Sequence, residues 1–194
     1  VKPNPIDIYL CPIDVPPSQQ SEQAWRLVHL LLRLRGIRGE VARAPGGKPY
    51  LVGRDDVHFN LSHTRGMIGV AISAHHPVGI DVQRSDREVS MALAERVLSP
   101  DEMCQYQERG QKPELFFAFW TLKEAVAKYT GEGLAKHLQS LSFSRPLRGL
   151  VGCSREDVWA FYRQENDIHT AVAGVPGSVV RYFIIDSDAN PILR

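Results

Sequence analysis

The sequence predicts an α+β fold built from two α+β halves, and three observations carry that expectation. Segments with strand alternation and segments with helical periodicity follow in the order strand, helix, strands, then strand, helices, strands. The pattern divides near Ala74 to Pro77, giving an N-terminal half over 1–76 and a C-terminal half over 77–194. One stretch, Phe116 to Thr130, is apolar on nearly every face of a helix and so belongs in the interior.

In chain order, the alternation of Ile6 to Leu10 predicts a first strand, followed by a Pro- and Ser-rich loop through Ser21. A helix is expected from about Glu22, capped by Ser21, with Ala24, Leu27, Leu31 and Leu34 as its apolar stripe. Arg26, Arg33 and Arg35 fall on its other faces and read as solvated surface. Arg43 to Leu51 contains the turn Gly46-Gly47-Lys48-Pro49, whose glycines expose amides that could hold a phosphate or press against a planar ring. In H-F-N-L-S-H-T, Phe59, Leu61 and His63 share one side of a strand and Asn60 and Ser62 the other.

Met67 to Ser73 is a second strand, and P-V-G-I-D-V-Q a third, on which Asp81 and Gln83 face the same way. The adjacent His75 and His76 point apart on extended chain and make no metal site. Val89 to Leu98 is an amphipathic helix. Ser99-Pro100-Asp101-Glu102 starts the next, which gives its acids a local explanation as cap and first-turn charges. Pro113 and Gly131 bracket the apolar helix. Beyond it, G-E-G-L-A-K-H-L-Q-S-L predicts a turn and short helix, and the last three apolar runs an antiparallel meander.

Composition bounds the function. An apolar fraction of 43% and a charged fraction of 23% are those of a soluble globular protein. The 23 Lys and Arg against 22 Asp and Glu leave a formal charge of +1, which argues against a broad nucleic-acid surface. Cys11, Cys104 and Cys153 are widely spaced, so neither a disulfide framework nor a Cys-rich zinc site is indicated, and a reducing cytoplasm is the expected home. No apolar run reaches the roughly 18 residues of a membrane span.

The candidate chemistry lies in two acids. Glu124, on the apolar helix, must lose much of its water, and Lys128 one turn later supplies an opposite charge. Read alone, this is a core helix with a local ion pair worth about 0.3–0.5 kcal/mol. Asp81, on an apolar strand at the seam of the halves, adds a second inward carboxylate. Two close anions repel unless one is protonated or a cation lies between them, and hard oxygen donors favour Mg2+ completed by substrate phosphates.

Three blocks in order, F-N-L-S-H-T, V-G-I-D-V-Q and F-F-A-F-W-T-L-K-E-A-V-A-K, with G-G-K-P upstream, resemble the Sfp-type 4′-phosphopantetheinyl transferases of the holo-acyl-carrier-protein synthase superfamily over roughly residues 40 to 145. The resemblance implies a pseudo-twofold arrangement of two similar α+β halves with the active site in the cleft between them. It implies an enzyme that moves the phosphopantetheine arm of coenzyme A to a serine of an apo acyl, peptidyl or aryl carrier protein, leaving adenosine 3′,5′-bisphosphate. By position, Asp81 and Glu124 resemble Mg2+ ligands, with Glu124 also the general base and Lys128 the neutraliser of pyrophosphate charge. Ser62, His63 and Lys48 resemble the contacts of the 3′-phosphate, with the Gly46 to Pro49 turn, through Gly47 and Pro49, facing the adenine. Many relatives carry an acid two residues after the aspartate, where this chain has Gln83 as the third metal position. The segment between first strand and first helix is also shorter than in typical relatives.

A monomer is expected, because one chain supplies both sides of the cleft. The alternative of another class is a non-catalytic coenzyme A or carrier-protein binding module of the same fold, which Gln83 favours and Glu124 with Lys128 opposes. A further alternative is a Mg2+-dependent enzyme of nucleotides such as a phosphohydrolase.

Overall fold

A computed structural model describes residues 4–134, 138–144, 146 and 148–192. The first sheet contains β1 (Asn4–Pro12), β4 (His58–Thr64), β5 (Met67–Ser73) and β10 (Ser178–Ile184), in the order β10-β1-β5-β4. The second contains β6 (Gly79–Arg84), β7 (Gly149–Leu150), β8 (Trp159–Glu165) and β9 (Ile168–Gly174), in the order β6-β9-β8-β7. A small hairpin pairs β2 (Val41–Arg43) with β3 (Pro49–Leu51). The helices are α1 (Pro17–Leu34), α2 (Met91–Val97), α3 (Pro100–Glu108) and α4 (Pro113–Thr130). Among the described residues no helix is long and apolar enough to cross a membrane.

Strand alternation sorts these elements into helix, sheet, sheet, helix. Ile68, Val70 and Ile72 of β5 pack with Leu27, Val28, Leu31 and Leu32 of α1. The opposite face of the first sheet sends Ile6, Ile8, Leu10 and Ala71 into a central core with Ile80, Val82 and Val172 of the second. The outer face of that second sheet, through Ala160, Tyr162, Ala171 and Ala173, packs on α4. Because side chains alternate along β6, placing Ile80 and Val82 in the central core turns Gly79, Asp81 and Gln83 toward α4.

The apolar helix forms as its sequence predicts: Pro113 occupies its first turn, and Gly131, left-handed at φ 75°, ends it. Glycine is required where this helix crosses β6, since a Cβ on Gly79 would lie 2.1 Å from the Ala125 carbonyl and 2.4 Å from the Tyr129 nitrogen. That close approach brings the Asp81 side of β6 against the last turns of α4.

Three local expectations change. Helix α1 begins at Pro17, well before Glu22, because Pro16 and Pro17 fix φ where a first helical turn needs it, so Ser21 lies inside the helix and caps nothing. The final three strands do not form a meander: β8 and β9 are an antiparallel pair, but β10 crosses to the first sheet and runs parallel to β1, from Asn4 opposite Ser178 to Leu10 opposite Ile184. Glu102 does complete a capping box with Ser99, yet it is fully buried and pairs with Lys123, so first-turn charge is not its whole role. The turn and short helix expected after Gly131 fall partly on 135–137, outside the described residues.

Candidate active site

The two sheets meet edge to edge where β4 runs beside β6, and side chains make the join. Asn60 Oδ1 accepts a hydrogen bond from the Ile80 nitrogen at 3.0 Å, and Ser62 Oγ accepts one from the Val82 nitrogen at 3.2 Å. Both residues lie on the face of β4 opposite Phe59, as alternation requires, and both are buried. They stand in for the carbonyls that a neighbouring strand would have offered to β6.

Above this join opens a cavity of about 530 Å³ lined by α1, the β2–β3 turn, β4, β6 and α4. Its size is that of small-molecule and cofactor clefts, roughly 300–1,000 Å³. Every residue that the resemblance assigns to the site reaches it: Asp81, Gln83, Glu124 and Lys128 from the C-terminal side, and Gly47, Lys48, Pro49, Ser62 and His63 from the N-terminal side.

At the inner end, Asp81 is 1% exposed. Its Oδ1 accepts from Ser62 Oγ at 2.7 Å and from Lys128 Nζ at 2.7 Å, and its Oδ2 accepts from Gln83 Nε2 at 3.1 Å. Lys128 therefore pairs across the seam with Asp81 rather than along the helix with Glu124, and a second donor bond reaches Ser62 Oγ at 3.0 Å. Glu124 has no hydrogen-bond or ion-pair partner among the described residues. Burial raises its carboxyl pKa, the Asp81 charge raises it further, and Lys128 opposes both.

No cluster of three or more His, Cys, Asp or Glu side chains that could hold a metal ion forms among the described residues, so these offer no complete protein cage for a cation. What the inner end does offer is two carboxylates whose charges disfavour one another, with the Gln83 amide beside them. That all-oxygen donor set fits a hard divalent ion which keeps waters and takes phosphate oxygens as further ligands.

The other end is differently furnished. Gly46 packs so closely on the end of α4 that a Cβ there would lie 2.6 Å from the Gly131 carbonyl. Lys48 Nζ donates to the Tyr129 carbonyl at 2.6 Å, satisfying one of the orphan acceptors of the helix terminus. Burial lowers its ammonium pKa to about 8. Burial and the Lys128 charge lower that of His63, against a smaller opposing effect of Asp81.

Among the lining residues that the sequence did not mark as candidates are Arg43 and Trp25. Arg43 lies 4.8 Å from the Trp25 ring centroid and donates to the Gly47 carbonyl at 3.1 Å, which holds a guanidinium at the cavity wall without an acidic partner among the described residues. Trp25 sits one helical turn from Ser21, another lining residue, and that spacing was the available signal. Nothing local indicates that Arg43 stacks on it.

The chain is thus an α+β protein whose two sheets share a cofactor-sized cavity carrying two acids and a lysine. The profile of the 4′-phosphopantetheinyl transferase superfamily matches residues 77–174, the stretch that carries β6, α4 and the second sheet. The chain is 35% identical over 98 residues to a 4′-phosphopantetheinyl transferase of Bacillus subtilis, covering 50% of this chain and 43% of that protein. It is 38% identical over 90 residues to 4′-phosphopantetheinyl transferase gsp of Aneurinibacillus migulanus, covering 45% and 36%. To 4′-phosphopantetheinyl transferase Sfp of Bacillus subtilis strain 168 it is 31% identical over 113 residues, covering 57% and 50%. The matches thus span half the length of these relatives or less. The chain belongs to the 4′-phosphopantetheinyl transferase superfamily.

Proposed function

We propose that this chain transfers the 4′-phosphopantetheine arm of coenzyme A to a serine hydroxyl of an apo acyl, peptidyl or aryl carrier protein and releases adenosine 3′,5′-bisphosphate. The observation that carries the reading is the single cavity that gathers Asp81, Glu124 and Lys128 at one end and Lys48, Gly47, Pro49 and His63 at the other. The first set suits a pyrophosphate, and the second suits the ribose phosphate and base some distance away.

Glu124, its basicity raised by burial and by Asp81, takes the proton of the carrier serine. The serine oxygen then bonds to the phosphorus on the pantetheine side, and the bond from that phosphorus to the bridging pyrophosphate oxygen breaks. Lys128 offsets the charge gathering on the leaving phosphate, within a site that acts mainly by positioning. A magnesium ion held by Asp81 and Glu124, with the Gln83 amide oxygen or a water completing the set, would neutralise the pyrophosphate. We assign the 3′-phosphate and adenine to residues of 1–76, with Arg43 joining Lys48 and His63, and the acids and catalytic helix to 77–194. The two sheets, each backed by one long helix, are read as pseudo-twofold halves, with β10 from the C-terminal stretch completing the first sheet. Both walls come from one chain, which supports a monomer.

The test is mass spectrometry of apo carrier proteins of the fatty-acid, polyketide and peptide types, incubated with coenzyme A with and without Mg2+. Gain of the phosphopantetheine mass only when both are present is the expected result; no gain on any carrier would refute the transferase. Gln83, a neutral amide where an acid would bind a cation more firmly, favours a second reading as a non-catalytic binding module. Calorimetric binding of coenzyme A without any carrier loading would establish that module instead.

A further inference from the structure

Ser62 stands out from the other residues on the N-terminal wall because its hydroxyl is already fully engaged inside the protein. It donates to Asp81 Oδ1 at 2.7 Å and accepts from Lys128 Nζ at 3.0 Å and from the Val82 nitrogen at 3.2 Å. A serine hydroxyl has one donor and two acceptor lone pairs, so these three bonds exhaust it. The residue is buried, and its partners belong to β6 and α4, the two elements that carry the acids and the lysine.

We infer that Ser62 is a positioning residue for Asp81 and Lys128 rather than a contact of the coenzyme's 3′-phosphate. The inference rests on the transferase reading and deepens it. Oδ1 is the Asp81 oxygen shared by Ser62 and Lys128, and the Val82 bond anchors the hydroxyl to the backbone one residue beyond Asp81. Ser62, Asp81 and Lys128 thus form a closed triangle in which each side chain touches the other two. Fixing one corner fixes the orientation of the carboxylate and the reach of the ammonium. A phosphate could recruit this hydroxyl only by breaking the triangle, while Arg43, His63 and Lys48 line the same wall with donors of their own.

The experiment compares wild type, Ser62→Ala and Ser62→Thr in three measurements: kcat and KM for carrier loading, calorimetric Kd for coenzyme A and for 3′-dephospho-coenzyme A in EDTA, and Tm. Ser62→Ala should lower kcat roughly 10- to 100-fold, the usual cost of removing a group that orients a ligand or reacting side chain. The ratio of the two Kd values should stay within about 2-fold of wild type, since no phosphate contact is lost. Ser62→Thr, which keeps the hydroxyl, should recover most of the kcat and serves if the alanine variant does not fold. Asn60→Ala removes the other side-chain bond of the sheet seam without touching the triangle. It should lower Tm as Ser62→Ala does while costing at least 10-fold less in kcat; an equal kcat loss would assign the effect to the seam and overturn the inference. Loss of discrimination between the two coenzymes in Ser62→Ala with kcat retained would overturn it as well. If wild type neither binds coenzyme A nor loads a carrier, both readings fall together, an outcome distinct from either of these.

Discussion

Helix α4 presents two lysines to two carboxylates, five residues apart along the chain, and the two pairs differ in one respect that separates structure from chemistry. Lys123 and Glu102 are both 0% exposed and lie 2.8 Å apart. Each ammonium proton and both carboxylate oxygens have partners: Lys123 also donates to the carbonyls of Leu138 and Leu141, and Glu102 accepts from the nitrogens of Ser99 at 2.9 Å and Phe143 at 3.0 Å. Lys128 and Asp81 are 2.7 Å apart, but the lysine is 28% exposed to the cavity, and Glu124 beside them has no partner among the described residues. The first pair ties α3 and the 138–143 segment to α4. The second holds charge where a ligand can reach it. A buried charge with all its partners stabilises an architecture; a half-buried carboxylate left without one is available for proton transfer or a cation.

The largest effect should come from breaking the saturated pair. Lys123→Ala leaves Glu102 buried with an uncompensated charge, so unfolding in denaturant should show a loss of about 3–5 kcal/mol. Lys128→Ala leaves the buried Asp81 still bonded to Ser62 and Gln83 and removes a side chain 28% exposed, opening the carboxylate to the cavity, so its stability cost should be much smaller while carrier loading falls. Equal destabilisation by the two substitutions would erase the distinction.

Next in size is the catalytic contrast. Glu124→Gln should lower carrier loading by on the order of 10²-fold, about 2.7 kcal/mol of transition-state stabilisation, with little change in Tm because no partner is orphaned. Retained turnover in this variant would remove Glu124 from the role of general base.

Much of this contrast was legible before any coordinates, and what was hidden was hidden for one reason. The apolar helix with its Pro113 and Gly131 ends, and the strands carrying Ser62 and Asp81, follow from periodicity and punctuation within a few neighbouring residues. The partners of these residues do not. The i, i+4 spacing of Glu124 and Lys128 suggests a local pair, yet the lysine turns to Asp81, 47 positions away, because Gly79 lets α4 lie on β6. Lys48 resembles a phosphate ligand in its turn, while its bond to Tyr129 depends on where the end of α4 falls. Likewise, β10 is a good strand in any reading, but only closure of the first sheet against β1 decides its neighbour. Local sequence specifies the elements, and contacts of long separation specify what each side chain meets.

The smallest predicted effect tests the state of Glu124 itself. Burial first, and the Asp81 charge second, raise its carboxyl above the ordinary value of 4.5, so the folded protein holds this proton at pH values where the unfolded chain has released it. Its contribution to stability is therefore fully present below about 4.5 and is lost as pH rises through the folded pKa. In EDTA, so that no cation offsets the carboxylate charge, the stability of wild type relative to Glu124→Gln should decline with rising pH across that window, then level off. A bound divalent cation favours the ionised carboxylates and should shrink the decline. Parallel pH profiles for the two proteins would mean that Glu124 is as well accommodated as a solvent-exposed acid, and the inner end of the cavity would then lack the electrostatic tension on which its chemistry rests.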